Sequence, residues 1–94
     1  MKIRWTPRAS KQLEAIYSYV ADHSLQVAET LVEQLYSAIK ILERYPESGR
    51  RGRIEGTREL VVTNSPYIVF YRIRRDRVHI LAIIHAARKL PTRL

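Results

Sequence analysis

Five side chains in the second half of the sequence, Arg58, Tyr67, Tyr71, His85 and Arg88, are of the types that metal-free RNA cleavage uses. In that reaction a base removes the 2′-hydroxyl proton, a cation stabilises the phosphorane charge, and an acid protonates the leaving oxygen. Histidine works as base or acid near neutral pH. A guanidinium can hold phosphate through two parallel hydrogen bonds. On this reading Arg58, His85 and Arg88 are the catalytic candidates. Each residue also has a plain structural role open to it. His85 sits at a strand end, where an imidazole can simply hydrogen-bond backbone. Tyr67 and Tyr71 are four apart in a strand, share a face and suit core packing. Arg58 can pair with Glu55 or Glu59 at the surface, worth under ~1 kcal/mol. Arg88 can be only a solvated charge.

Other chemistries lack their residues. His23, His79 and His85 do not have the i, i+4 spacing of zinc enzymes, and no carboxylate lies close enough in sequence to complete a metal site. No glycine-rich phosphate loop follows a strand, and no serine nucleophile motif is present. No cofactor is expected. The chain has no cysteine, which excludes disulfides and thiolate metal sites. No apolar run approaches the ~18–20 residues of a membrane span, and no apolar segment follows Lys2 and Arg4. A cytoplasmic protein without a membrane partner is the expectation.

The charge is concentrated. The net charge is +8; residues 1–46 carry six Lys and Arg against five Asp and Glu, and residues 47–94 carry eleven against four. Such a field favours anionic partners: nucleic acid, an acidic protein or a ribosome surface. Arg50, Arg51, Arg53 and Arg72 are the candidates for contacting a target or a partner protein.

The elements that must position these residues follow from periodicity. Lys2–Trp5 alternates polar and apolar, as a short strand does. Thr6 and Pro7 are a cap and a first-turn residue, and Ala9, Leu13, Ile16, Tyr17 and Val20 recur at helical spacing. This helix is expected to reach about His23. Ser24 can cap a second helix whose apolar face is Ala28, Leu31, Val32, Leu35, Ala38, Ile39 and Leu42, closed by Tyr45-Pro46. The short link makes the two helices an antiparallel hairpin. Residues 46–53 read as a loop. Strands are expected at Thr57–Thr63, Tyr67–Arg74 and Arg77–His85, the last apolar on both faces apart from His79 and so inside the sheet. The expected fold is one α+β domain spanning 1–94. A helical hairpin packs on a mostly antiparallel four-stranded sheet in the order β-α-α-β-β-β.

Several strings in this frame are similar to one family. Gly56-Thr57-Arg58-Glu59-Leu60-Val61-Val62 and Pro66-Tyr67-Ile68-Val69-Phe70-Tyr71-Arg72-Ile73 resemble stretches common in RelE/ParE toxins. So do Pro46-Glu47-Ser48-Gly49-Arg50, the last strand running into His85-Ala86-Ala87-Arg88, and Trp5-Thr6-Pro7 with Ala9 and Leu13. The resemblance covers nearly the whole chain. It implies the toxin of a type II toxin–antitoxin pair, with a cognate antitoxin whose acidic, partly disordered C-terminal segment wraps and neutralises it. It also implies operator DNA binding only through the antitoxin. RelE-like members cut mRNA on the ribosome; ParE-like members inhibit DNA gyrase. Arg88 lies close to the place of a catalytic arginine, and His85 close to where some relatives use histidine. The terminal tyrosine of RelE is absent from Lys89-Leu90-Pro91-Thr92-Arg93-Leu94, and Arg50, Arg51 and Arg53 stand where that family is lysine-rich. The long hairpin and the His-Ala-Ala-Arg ending look more like ParE. The leading expectation is therefore a gyrase-binding toxin. The alternatives are a ribosome-dependent mRNA endoribonuclease and a basic nucleic-acid-binding module.

Overall fold

The apolar periodicities translate directly into elements. The computed structural model describes residues 1–94. Strand β1 spans Lys2–Trp5, helix α1 Pro7–Ala21 and helix α2 Leu25–Lys40, continued by a 3₁₀ turn over Ile41–Glu43. Strands β2 (Arg50–Arg51), β3 (Arg58–Val61), β4 (Tyr67–Arg74) and β5 (Arg77–His85) follow. Both expected caps form: the Ala9 N–H donates to Thr6 Oγ1 at 3.2 Å and the Val27 N–H to Ser24 Oγ at 3.2 Å. Each such cap is worth ~1 kcal/mol of helix stability. No helix is long and apolar enough to cross a membrane.

The sheet has five strands in the order β1-β5-β4-β3-β2, one more than the four expected. The addition is β2, two residues inside the segment read as loop, which pairs Arg50 with Glu59 and Arg51 with Arg58. Two residues carry too little alternation to be seen as a strand in sequence. Strand β1 pairs with β5 in parallel; the other pairs are antiparallel. This makes β5 interior, as its two apolar faces require.

One face of the sheet packs the helices. Ala9, Leu13, Leu35, Ile39 and Leu42 bury against Val62, Val69, Tyr71, Val78, Ile80 and Ile83. On the opposite face Ile68, Phe70 and Ala82 form a smaller cluster, packed by Leu81 and Ile84 of β5 and by Leu90 of the C-terminal tail. The face of each residue in β5 is set by a bulge. Phe70 pairs with Ala82 and Tyr71 with Ile80, so Leu81 is an extra residue on β5. Val78 and Ile80 face the helices. Strict alternation would send Ile83 and His85 to the other side; the bulge returns both to the helix side.

Candidate functional site

The loop after the helices is built around Tyr71 and Arg58. Tyr71 is fully buried; its hydroxyl donates to Pro46 O at 2.7 Å and accepts from the Gly49 N–H at 2.8 Å. Burial raises its pKa, so it stays a phenol and a donor. Arg58 Nη1 donates to Gly49 O at 2.7 Å and to Glu47 O at 3.4 Å. The Arg58 guanidinium thus holds backbone, and no ion pair with Glu55 or Glu59 forms. Gly49 is needed at this position, because a Cβ there would lie 2.7 Å from the Tyr71 ring and 2.9 Å from Glu59 O.

Glu59 organises the other arginines. Its side chain is 1% exposed and takes Arg50 Nη2 at 3.1 Å, Arg53 Nε at 2.9 Å, Arg53 Nη2 at 3.0 Å and the Arg53 N–H at 2.9 Å. The Arg53 hydrogen bond, opposed by burial and helped by Arg50, lowers its pKa from 4.5 to about 2. A fully hydrogen-bonded buried carboxylate is stable only with both guanidinium partners in place. Two of the four arginines expected to meet a partner are therefore engaged inside the fold. Arg51 is exposed on β2, and Arg72 is half-buried on the face away from the helices, opposite His79.

His85 belongs to a different place. Tyr67 pairs with His85 across β4 and β5, their rings edge to face at 5.3 Å. With Gln12, Ile16 and Tyr19 of α1, Ile83 and Arg88, they line a cavity of about 490 Å³ between α1 and the end of the sheet. Burial and the nearby Tyr19 raise the Tyr67 pKa, against Arg88, so the phenol keeps its proton. His85 Nδ1 accepts from the Ala87 N–H at 3.0 Å. In the neutral imidazole the proton is then on Nε2, and the Nδ1 lone pair is already taken.

The structure brings His85, Arg88 and Tyr67 together and leaves Arg58 elsewhere. Arg58 pairs with Tyr71, four residues along β4 from Tyr67, a separation of about 13 Å at strand rise. Gln12 and Tyr19 also line the site, beyond the residues to which the sequence points. Gln12 carried a readable signal: it sits within the apolar stripe of Ala9, Leu13 and Ile16, where a polar group needs a partner. Its Oε1 accepts the Ile83 N–H at 2.9 Å, on the edge of β5 that β1 no longer covers. No group of acidic, histidine and cysteine side chains is arranged to hold a metal.

The sequence and the fold have known counterparts. The chain is 44% identical over 90 residues to the Y4kP protein of Sinorhizobium fredii, covering 96% of this chain and 93% of that one. It is 39% identical over 87 residues to Toxin RelE2 of Caulobacter vibrioides, covering 93% of this chain and 97% of that one. The fold is similar to a chain of the chromosomal ParDE toxin–antitoxin system from P. aeruginosa, with a TM-score of 0.81 at 27% identity, covering 90% of this chain and 95% of that one. Residues 3–90 match the family model described as the ParE toxin of the type II toxin–antitoxin system parDE. The two capped helices on a mostly antiparallel sheet, and a match that runs through both Tyr71 and His85, place the chain in the ParE toxin family of type II toxin–antitoxin systems.

Proposed function

We propose that residues 1–94 act as one toxin domain that arrests bacterial growth by binding and poisoning DNA gyrase in the cytoplasm. One observation carries the choice of target: Arg58 is bound to loop carbonyls about 13 Å along the sheet from the Tyr67–His85 pair. A ribonuclease that used Arg58, His85 and Arg88 together would need all three around one phosphate. The Ala87 N–H on His85 Nδ1 also occupies the lone pair that a base would use. A surface that inhibits by binding has neither requirement.

The second reading, a ribosome-dependent mRNA endoribonuclease, is favoured by the cavity itself, where Tyr67, His85 and Arg88 present two proton donors and a cation. Purified protein separates the two. The gyrase reading expects loss of supercoiling or accumulation of cleaved DNA, with translation extracts unaffected. Codon-phased mRNA cuts that require ribosomes would overturn it. Induction of the chain alone should arrest growth, and co-expression of the cognate antitoxin should restore it.

Membership of the family implies such an antitoxin. Its acidic segment is expected to bury apolar side chains in the groove between α2 and β3, beside Ile41 and Val61, which are 54% and 53% exposed. Apolar burial would contribute ~25 cal/mol per Å², less the cost of ordering the segment. Carboxylates of that segment have Arg51 available without competing with Glu59, and only the free edges of Arg50 and Arg53.

A further inference from the structure

The face of the sheet away from the helices has two halves. Its apolar half, Ile68, Phe70 and Ala82, is covered by Leu90 of the tail. Its other half is open and basic. Lys2, Arg77 and Arg74 are successive cross-strand partners on β1, β5 and β4; Arg4, His79 and Arg72 form the next row. Their neighbours Ile3, Trp5, Ile73, Val78 and Ile80 pack toward the helices, so these six side chains share the outer face. Rows on one face lie about 7 Å apart and strands about 4.8 Å apart, which gathers five Lys and Arg side chains into a block roughly 10 Å by 7 Å.

Nothing in the chain neutralises this block. The ion pairs are Lys40–Glu43, Arg50–Glu59 and Arg53–Glu59. Asp76, in the turn between Arg74 and Arg77, pairs with none of them. Arg77 Nε is shielded and has no hydrogen-bond acceptor. Like charges directly opposite one another destabilise a sheet. Their persistence across three strands points to a polyanion that covers them.

We infer that the basic half of the outer sheet face binds the phosphate backbone of duplex DNA directly, without reading sequence. Duplex DNA carries one negative charge per about 1.7 Å of axis, so several phosphates can sit over the block at once. Single strands are held largely by stacking bases on aromatic rings, and the two rows contain no Phe, Tyr or Trp. An acidic protein segment draws its affinity from apolar burial; the rows offer no apolar groove, whereas the α2–β3 groove on another surface does. The inference does not depend on gyrase being the target.

The test is fluorescence anisotropy of a labelled 20-base-pair duplex with the purified full chain, titrated in salt. Four to five phosphate contacts should give a slope of log K against log salt near −4, a loss of roughly two orders of magnitude between 50 and 200 mM. The variant Lys2→Gln, Arg4→Gln, Arg72→Gln, Arg74→Gln should leave a slope no steeper than about −1 while melting no lower than the parent. A control with the same net charge, Arg8→Gln, Lys11→Gln, Lys40→Gln, Arg44→Gln on the helical side, should bind like the parent. Made singly, each of the first four substitutions should lower the slope by about one unit. Equal loss in both quadruple variants would overturn the inference, since net charge alone would then suffice. So would no binding at 50 mM salt, single-stranded DNA binding as tightly as duplex, or polyglutamate of equal charge competing as well as duplex.

Discussion

Two arginine-rich regions lie on the same sheet face. At one corner Arg50 and Arg53 close on the buried Glu59 carboxylate through four hydrogen bonds. A few residues away, Lys2, Arg4, Arg72, Arg74 and Arg77 stand in cross-strand rows without a carboxylate. In the first region the guanidinium groups hold the fold, because removing them would strand a desolvated anion. In the second they only repel one another and contribute nothing to folding. The same residue type is thus structural in one place and available to a partner in the other, and a single acidic side chain makes the difference.

The comparison can be broken most severely at the loop that carries the first region. Gly49→Ala sets a methyl against the Tyr71 ring and the Glu59 backbone oxygen. Since one contact is backbone, the expected destabilisation is about 3 kcal/mol by urea unfolding, at the upper end for overpacking. A variant with the parent midpoint would show that the loop is not held as described.

Glu59→Gln should cost about 2 kcal/mol, less than stranding a buried charge, because the freed arginines can resolvate. The same group makes stability depend on pH. Its pKa in the folded chain is lowered from 4.5 to about 2, so its contribution is complete above pH 4.5 and is lost as pH falls toward 2. Thermal melts of parent and Glu59→Gln should therefore converge between those pH values. Parallel curves would remove Glu59 from the account of the corner.

The smallest effect sharpens the contrast. Arg74→Gln should change stability by no more than about 0.5 kcal/mol, and in the stabilising direction at low salt, because it relieves repulsion across from Arg77. A loss above 1 kcal/mol would mean that the open rows are structural after all.

The sequence by itself determined the order of elements apart from the two-residue β2, both helix caps, the antiparallel hairpin, the interior position of β5 and the concentration of charge in residues 47–94. These depend on local patterns: a period of 3.6 or 2, a capping hydroxyl, a proline at a first turn. Only the tertiary structure decided which strand lies beside β5, because β1 pairs with it in parallel from 75 residues away in sequence. It alone placed the extra residue Leu81, which turns His85 toward α1 and into the cavity beside Tyr67. And it alone chose Glu59 as the partner of Arg50 and Arg53. Register, bulges and ion partners are settled by packing between distant segments. A one-residue shift reverses the face of every side chain beyond it, and no local pattern in β5 marks where that shift falls.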